Sequence, residues 1–221
     1  MAKFLKLLIA LLLLPVCAGA VPALAHVLHT CRGADVIWVP FLAGAACWLI
    51  VFAVLPKPMW IYVFGHELTH AVWAWLFGGD IKKFKVTSQG GHVVITASNF
   101  FIALAPYFFP LYAVLLILVF ALGNFLGNWH AALPVFYLLL GAAYAFHVTL
   151  TVHVLRTKQT DITSQGWIFS AVVIYLGNIA TLIFGIPLLT ARAGWFSVLQ
   201  WWADGTLDAV IRTAAWLQRV I

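Results

Sequence analysis

The stretch that decides how this chain folds runs from Met59 to Phe77 and reads MWIYVFGHELTHAVWAWLF. It is apolar over roughly the 20 residues that a helix needs to cross a bilayer, yet His66, Glu67 and His70 lie inside it. Glu67 is the only glutamate in the chain. Because ionisable side chains at membrane depth are costly, this group indicates a functional site rather than a structural one.

The order His66-Glu67-Leu68-Thr69-His70 carries a chemical mechanism. Residues four apart share one face of a helix, so both imidazoles are able to reach one metal ion. Glu67 is turned away from that face and would lie beside the metal rather than on it. We therefore expect one Zn²⁺ per chain, with Glu67 as the general base that deprotonates the metal-bound water and then protonates the leaving amine.

A catalytic zinc ion usually takes three protein ligands, and spacing alone does not identify the third. His147 and His153 are six residues apart on one predicted helix and point to different sides of it, so they cannot both serve. Asp161 precedes the last predicted span, where a turn or helix-start residue is the alternative interpretation. The candidates for the third ligand are Asp161, His147, His153, His92, His130 and Asp80.

Composition identifies the bilayer as the solvent of this chain. The 221 residues are 65% hydrophobic and 8% charged, whereas a soluble domain carries about a quarter charged residues. The net charge of +6 comes from basic residues at the ends of apolar runs. This placement is typical of loops that face anionic headgroups and does not indicate a nucleic-acid partner. We expect a multi-pass protein of a membrane, by our interpretation the bacterial cytoplasmic membrane.

Polar breaks divide the apolar sequence into about six candidate spans, which must be helices because lone strands leave backbone groups unpaired in lipid. Residues 1–24 also have the pattern of a signal-like segment; a retained span is the interpretation we favour. The six are Phe4 to Leu24, Val36 to Leu55, Met59 to Phe77, Ala97 to Leu122, Leu133 to Leu155, and Trp167 to Leu189.

Two segments have a different pattern from the spans. Between Asp80 and Thr96, polar and apolar residues alternate on either side of Ser88-Gln89-Gly90-Gly91, which predicts a β-hairpin. In residues 195–221, apolar residues recur at helical spacing beside four tryptophans, which predicts an amphipathic helix in the membrane interface. The predicted fold is thus an all-α polytopic membrane protein, a single membrane domain over residues 1–221 with a short hairpin after the HExxH helix.

Three pieces of the sequence, in this order, resemble the site-2 protease family of intramembrane zinc metallopeptidases. They are FGHELTHAVWAWLFGGDIKKFKV from Phe64, GGHVVITASNFFIALAPYFFP from Gly90, and QTDITSQGWIF from Gln159. The resemblance covers most of residues 59–189, which it implies are the metallopeptidase core. HExxH inside an apolar helix is quite specific, and the other two pieces are weaker alone.

The resemblance implies roles for individual residues. His66 and His70 would bind zinc, Glu67 would be the catalytic base, and Asp161 would be the third ligand. Asp161 is followed by Ile162 rather than by the glycine common in the family, and His147 stays in reserve. Asn99 matches an asparagine that helps to hold substrate, and the family's hairpin is proposed to hold unwound substrate in extended form.

The predicted function is hydrolysis of peptide bonds in or near the transmembrane segments of membrane-anchored substrate proteins. The alternative is a non-proteolytic zinc-binding membrane regulator or partner subunit, which would bind zinc without any change in substrate that depends on Glu67. A third interpretation, a packed polar cluster joining helices, does not require this order and spacing of residues.

Overall fold

The computed structural model describes residues 2–87 and 90–220, in which the chain forms two compact units. One unit is Asp35–Asp161, and the other combines Met1–Ala34 with Ile162–Ile221. The helices are α1 Ala2–Cys31, α2 Asp35–Val54, α3 Met59–Leu76, α4 Phe100–Leu104, α5 Leu111–Gly127, α6 Leu133–Leu155, α7 Thr160–Gln165, α8 Trp167–Thr190 and α9 Trp195–Val220, with 3-10 turns at Ala105–Tyr107 and Trp129–Ala132. The strands are β1 Ile81–Thr87 and β2 Gly90–Ile95.

Among the residues that the structure describes, four helical segments are long and apolar enough to cross a membrane. They are Lys3–Cys31, Asp35–Val54, Trp129–Leu155 and Trp167–Thr190, and a bent pair of helices adds a fifth if it is one span. Helix α3 is not among them, because two histidines and a glutamate lower its mean hydropathy. The count of six spans is not confirmed, and passage of α3 through the bilayer stays a prediction.

The predicted span from Ala97 to Leu122 is not one straight helix, and its passage through the bilayer stays a prediction. The chain instead forms the helical segment Phe100–Tyr107 and then α5, with a bend of 83° between them. The physical cause is proline: Pro106 lies in the 3-10 turn and Pro110 directly precedes α5. A proline has no N–H to continue a helix and disfavours helical geometry in the residue before it.

Helices α2 and α6 of the Asp35–Asp161 unit pack closely because each presents a glycine to the other. Gly44 of α2 lies against the carbonyl of Leu138, and Gly141 of α6 lies against the carbonyl of Phe41. At both positions a Cβ atom would collide with backbone. Small residues that permit such close approach are the usual means of joining helices in lipid, where the hydrophobic effect supplies no attraction between them.

The predicted hairpin is confirmed, although Ser88 and Gln89 of its predicted turn lie outside the described residues. Strands β1 and β2 are antiparallel, with Lys85 opposite His92 and Val86 opposite Gly91. The β2 residues alternate between exposed and partly covered, so Gly91, Val93 and Ile95 are on the covered side. The hairpin packs on α3 by this side, which brings β2 beside the HExxH motif.

The second unit contains α1, α8 and α9, and it confirms that residues 195–220 are helical. Trp202 of α9 donates a hydrogen bond to the Val16 carbonyl of α1 over 3.0 Å. Gly205 lies so close to α1 that a Cβ atom would come within 2.7 Å of the Gly19 carbonyl oxygen. An interfacial position for α9, and a single membrane domain over residues 1–221, stay predictions.

Candidate metal centre

Helix α3 holds the HExxH motif on a face that is covered by other parts of its unit. Glu67, Thr69 and His70 are buried, and His66 is largely so. The helix ends sharply at Gly78, whose φ of 76° is left-handed. The N–H of Gly78 bonds to Trp75 and that of Gly79 to Ala74, which is the Schellman arrangement that satisfies the last carbonyls. The chain then turns directly into β1.

Three side chains converge at one point in this unit: His66, His70 and Asp161. Their ligand atoms all lie within 4.8 Å of one another. Asp161 Oδ2 is 3.4 Å from His66 Nε2 and 3.6 Å from His70 Nε2. The HExxH helix and the segment after α6 thus supply a compact set of two imidazoles and one carboxylate.

These separations fit a shared metal ion better than they fit hydrogen bonds. Ligand atoms about 2.05 Å from a tetrahedral zinc ion lie about 3.3 Å from each other, close to both measured distances. A hydrogen bond between nitrogen and oxygen is shorter, about 2.9 Å. Nitrogen and carboxylate ligands are also the donors that zinc prefers. The residues present therefore fit a zinc ion.

The orientation of His70 is fixed by the backbone of α4. Its Nδ1 is 2.8 Å from the carbonyl oxygen of Ile102, so Nδ1 donates its proton to that carbonyl and Nε2, directed at Asp161, is the nitrogen left to bind a metal. Metal-binding histidines typically donate their other ring N–H to a carbonyl or carboxylate in this way.

Asn99 determines where that carbonyl lies. It is the N-cap of α4, and its Oδ1 accepts a hydrogen bond of 2.8 Å from the Ile102 backbone N–H. Asn99 therefore fixes the backbone at Ile102, and the Ile102 carbonyl fixes the orientation of the His70 ring. This contact gives Asn99 a structural role that the sequence did not reveal. Its predicted contact with substrate stays a prediction.

Asp161 has its own supporting contact. The buried Tyr107 hydroxyl donates a hydrogen bond of 2.9 Å to Asp161 Oδ2. Burial alone would raise the pKa of the Asp161 carboxyl. The adjacent His66 and His70 side chains lower it by a larger amount, so this pKa lies below its usual range. The carboxyl group is accordingly ionised, the form in which it binds a metal.

Glu67 lies beside the three converging side chains and against the hairpin. The backbone N–H of Val93 faces its carboxylate. A Cβ atom on Gly91 would come within 2.7 Å of Glu67 Cγ, so glycine is needed for β2 to approach this closely. The hairpin therefore limits where the only glutamate side chain of the protein can lie.

The other candidates for third ligand are outside this group. His147 is buried in α6 and contributes no atom to the cluster. His92 is in β2 and His130 is in the 3-10 turn before α6. His153 lies near the end of α6, with its ring against Phe52. Asp80 precedes β1 and pairs with Lys82 at 3.7 Å.

Sequence reasoning did not identify Tyr107, Ile102 or Gly91 as parts of the site. Tyr107 and Ile102 are apolar or aromatic residues in an apolar stretch, and nothing in their spacing distinguishes them. Gly91 was assigned only to a turn. The Gly-Gly pair was the one available signal, since a glycine in a strand often marks a close approach of backbone to another group.

The fold consists of apolar helices, and one of them carries a buried HExxH motif beside an aspartate. These features define the class of integral membrane proteins with a potential metal site. Residues 39–155, more than half of the chain, match the Peptidase M50B-like family. The chain therefore belongs to this family, which is a site-2 protease family. The matched segment includes His66, Glu67 and His70 and ends before Asp161. No curated protein and no solved structure matches the chain.

Proposed function

We propose that this protein is an intramembrane zinc metallopeptidase that binds one zinc ion per chain and hydrolyses peptide bonds in or near transmembrane segments of membrane-anchored proteins. The observation that carries the proposal is the convergence of His66, His70 and Asp161 beside Glu67. Membership of a site-2 protease family supports it independently of that geometry. The proposed location is a cellular membrane, with the bacterial cytoplasmic membrane as a further expectation.

Each residue has a defined task in this proposal. His66, His70 and Asp161 hold the ion, and Tyr107 fixes the Asp161 carboxylate. Zinc bound there lowers the pKa of water and polarises a substrate carbonyl. Glu67 accepts the proton of the attacking water at its carboxylate and delivers it to the departing amine nitrogen. Its burial beside β2 would keep that carboxylate next to the metal site, while the ligand atoms would be those of His66, His70 and Asp161.

The hairpin supplies a way to present substrate. A transmembrane helix must unwind before its amide bonds are accessible, and an unpaired strand edge binds an extended peptide through backbone hydrogen bonds. In the described residues β1 and β2 pair only with each other, and β2 passes directly over Glu67. A peptide added to this sheet would lie within reach of Glu67. Asn99 is proposed to contact the same substrate.

The proposal is tested by the appearance of new N-termini in membrane proteins. The purified protein is reconstituted in liposomes with membrane proteins extracted from the expression host, and N-termini are labelled and identified by mass spectrometry. We expect cleavage inside or beside apolar segments with the wild type and none with Glu67→Gln, although both bind the same amount of zinc.

Asp80→Asn is the matched control, because it removes an exposed carboxylate that lies outside the cluster. It should cleave as the wild type does. Cleavage that persists in zinc-loaded Glu67→Gln would contradict the mechanism. Zinc binding without any cleavage by the wild type would favour the alternative, a non-proteolytic zinc-binding membrane regulator or partner subunit.

A further inference from the structure

One ring nitrogen of His66 has no hydrogen-bond partner in the part of the chain that the structure describes. The Nδ1 atom of this residue is buried and makes no hydrogen bond among the described residues, whereas the equivalent atom of His70 bonds to Ile102. A histidine that binds a metal through Nε2 carries its proton on Nδ1, and that N–H normally finds an acceptor. The two proposed zinc ligands of α3 thus differ in their support, since no described residue accepts a hydrogen bond from Nδ1 of His66.

A small pocket lies between α3 and the segments packed on it, and His66 is one of the residues that line it. Its volume is about 20 Å³, and its lining includes Tyr62, His66, Thr69, Tyr112 and His147. A cavity needs about 10–15 Å³ to hold one water molecule, together with two or more polar partners. The pocket is therefore large enough for one water molecule and too small for a substrate.

His147 offers the missing acceptor in that pocket. The residue is only 8% exposed, and its Nε2 atom is buried without a hydrogen-bond partner among the residues described. A buried polar group that is left unpaired costs free energy, so such groups are normally satisfied by protein or by ordered water. His66 Nδ1 and His147 Nε2 form no direct hydrogen bond, but the two residues line the same pocket.

We infer that a single water molecule in this pocket bridges the two histidines and makes His147 a positioning residue for the zinc site. The water accepts a hydrogen bond from His66 Nδ1–H and donates one to His147 Nε2. Thr69 offers a third partner, since its hydroxyl donates to the Gly65 carbonyl over 2.7 Å and keeps lone pairs for the water. The bridge holds the His66 ring with Nε2 directed at Asp161, where the ion would bind.

His147 acts through His66 in this arrangement and does not bind the ion itself. The ligand atoms that converge are those of His66, His70 and Asp161, and Asp161 faces Nε2 of His66 rather than Nδ1. His147 instead interacts, through the water molecule, with Nδ1 of His66. This residue, a candidate for third ligand by sequence, is assigned a different task by its position.

The inference rests on the proposed zinc site, and zinc affinity tests it without any measurement of peptidase activity. Competition with a fluorescent chelator is measured for the purified wild type, His147→Leu and His147→Gln. We expect His147→Leu to bind zinc about 10–100-fold more weakly, the usual effect of losing such an outer partner. His147→Gln places an amide near the position of Nε2 and should recover most of the affinity.

His153→Leu is the control on the same helix, and its zinc affinity should equal that of the wild type. Thermal unfolding of the metal-free proteins checks that the variants are folded; should His147→Leu fail, His147→Ala takes its place. X-ray absorption at the zinc edge should give two imidazole ligands in the wild type and in His147→Leu alike.

Two results would overturn this inference and leave the proposed function intact. One is unchanged zinc affinity in His147→Leu. The other is the loss of one imidazole ligand from the X-ray absorption spectrum of His147→Leu, which would make His147 a ligand. A wild-type protein that binds no zinc would overturn the proposed function as well. The failure of one proposal is therefore distinguishable from the failure of the other.

Discussion

At the scale of single residues, the site depends on hydrogen bonds made one step away from the proposed ligands. The Asn99 side chain accepts a hydrogen bond from the Ile102 N–H, and the Ile102 carbonyl accepts one from His70 Nδ1. Tyr107 holds Asp161 in the same manner. Outer contacts of this kind orient metal ligands and commonly contribute 10–100-fold to affinity. The proposed ligands are therefore only part of what a working site requires.

Removing the cap at Asn99 should weaken zinc binding as well as the fold. Asn99→Ala loses the bond to Ile102, which should cost about 1 kcal/mol of unfolding free energy and shift the carbonyl that orients His70. Asn99→Asp retains a good capping side chain and should keep both properties. Chelator competition and thermal unfolding measure the two effects. Unaltered zinc affinity in Asn99→Ala would show that His70 needs no such support.

At the scale of elements, the hairpin and α3 function together. Gly91 permits β2 to lie against Glu67, and a Cβ atom there would also approach the Lys85 carbonyl oxygen to 2.8 Å and Val63 Cγ1 to 2.9 Å. Any side chain at this position must displace the strand, the glutamate or both. The position of the Glu67 carboxylate, the proposed base, is thus linked to the strand that is proposed to present the substrate.

Gly91→Ala should lower cleavage while leaving zinc bound. Displacing a reacting group by about 1 Å can reduce a rate about 100-fold, and the predicted collision is with Glu67 rather than with the ligands. The N-terminal labelling assay gives the rate, and metal analysis gives the zinc content. Gly185→Ala is the control, since a Cβ atom there meets nothing within 4 Å. Wild-type rates in Gly91→Ala would argue against this positioning.

The elements were predictable where local chemistry specified them. Alternation and turn residues predicted the hairpin, and helical spacing predicted α9. The break before α5 was missed, because high hydropathy from Ala97 onward hid the effect of Pro106 and Pro110. The proximity of His66 and His70 follows from helix geometry. The approach of Asp161 does not, since it depends on how α6 packs. The roles of these residues as ligands stay predictions.

At the scale of the whole molecule, composition alone predicted a membrane protein, and the apolar helices and the family agree with that prediction. The proposed metal would join two distant parts of one unit, α3 and the segment that follows α6. A ligand that binds only the folded protein stabilises it in proportion to its affinity and concentration. Zinc should therefore contribute to the stability of the unit Asp35–Asp161.

Removing zinc should lower the thermal unfolding midpoint of the wild type. At a free zinc concentration about 100 times the dissociation constant, the stabilisation is about 2.7 kcal/mol, and a chelator abolishes it. His66→Ala should have the same unfolding midpoint with and without chelator, because it lacks a zinc ligand. Differential scanning calorimetry in detergent micelles measures the midpoints of both proteins. An equal drop in wild type and His66→Ala would mean that the chelator acts elsewhere.

The central claim is that α3 and Asp161 hold one zinc ion between them, and the most direct test is the zinc content of the purified protein. Mass spectrometry of the metal should find one zinc ion per chain in the wild type and in Asp80→Asn, where an aspartate outside the cluster is changed. Asp161→Ala should contain little or no zinc after dialysis. Full zinc content in Asp161→Ala, or none in the wild type, would contradict the account.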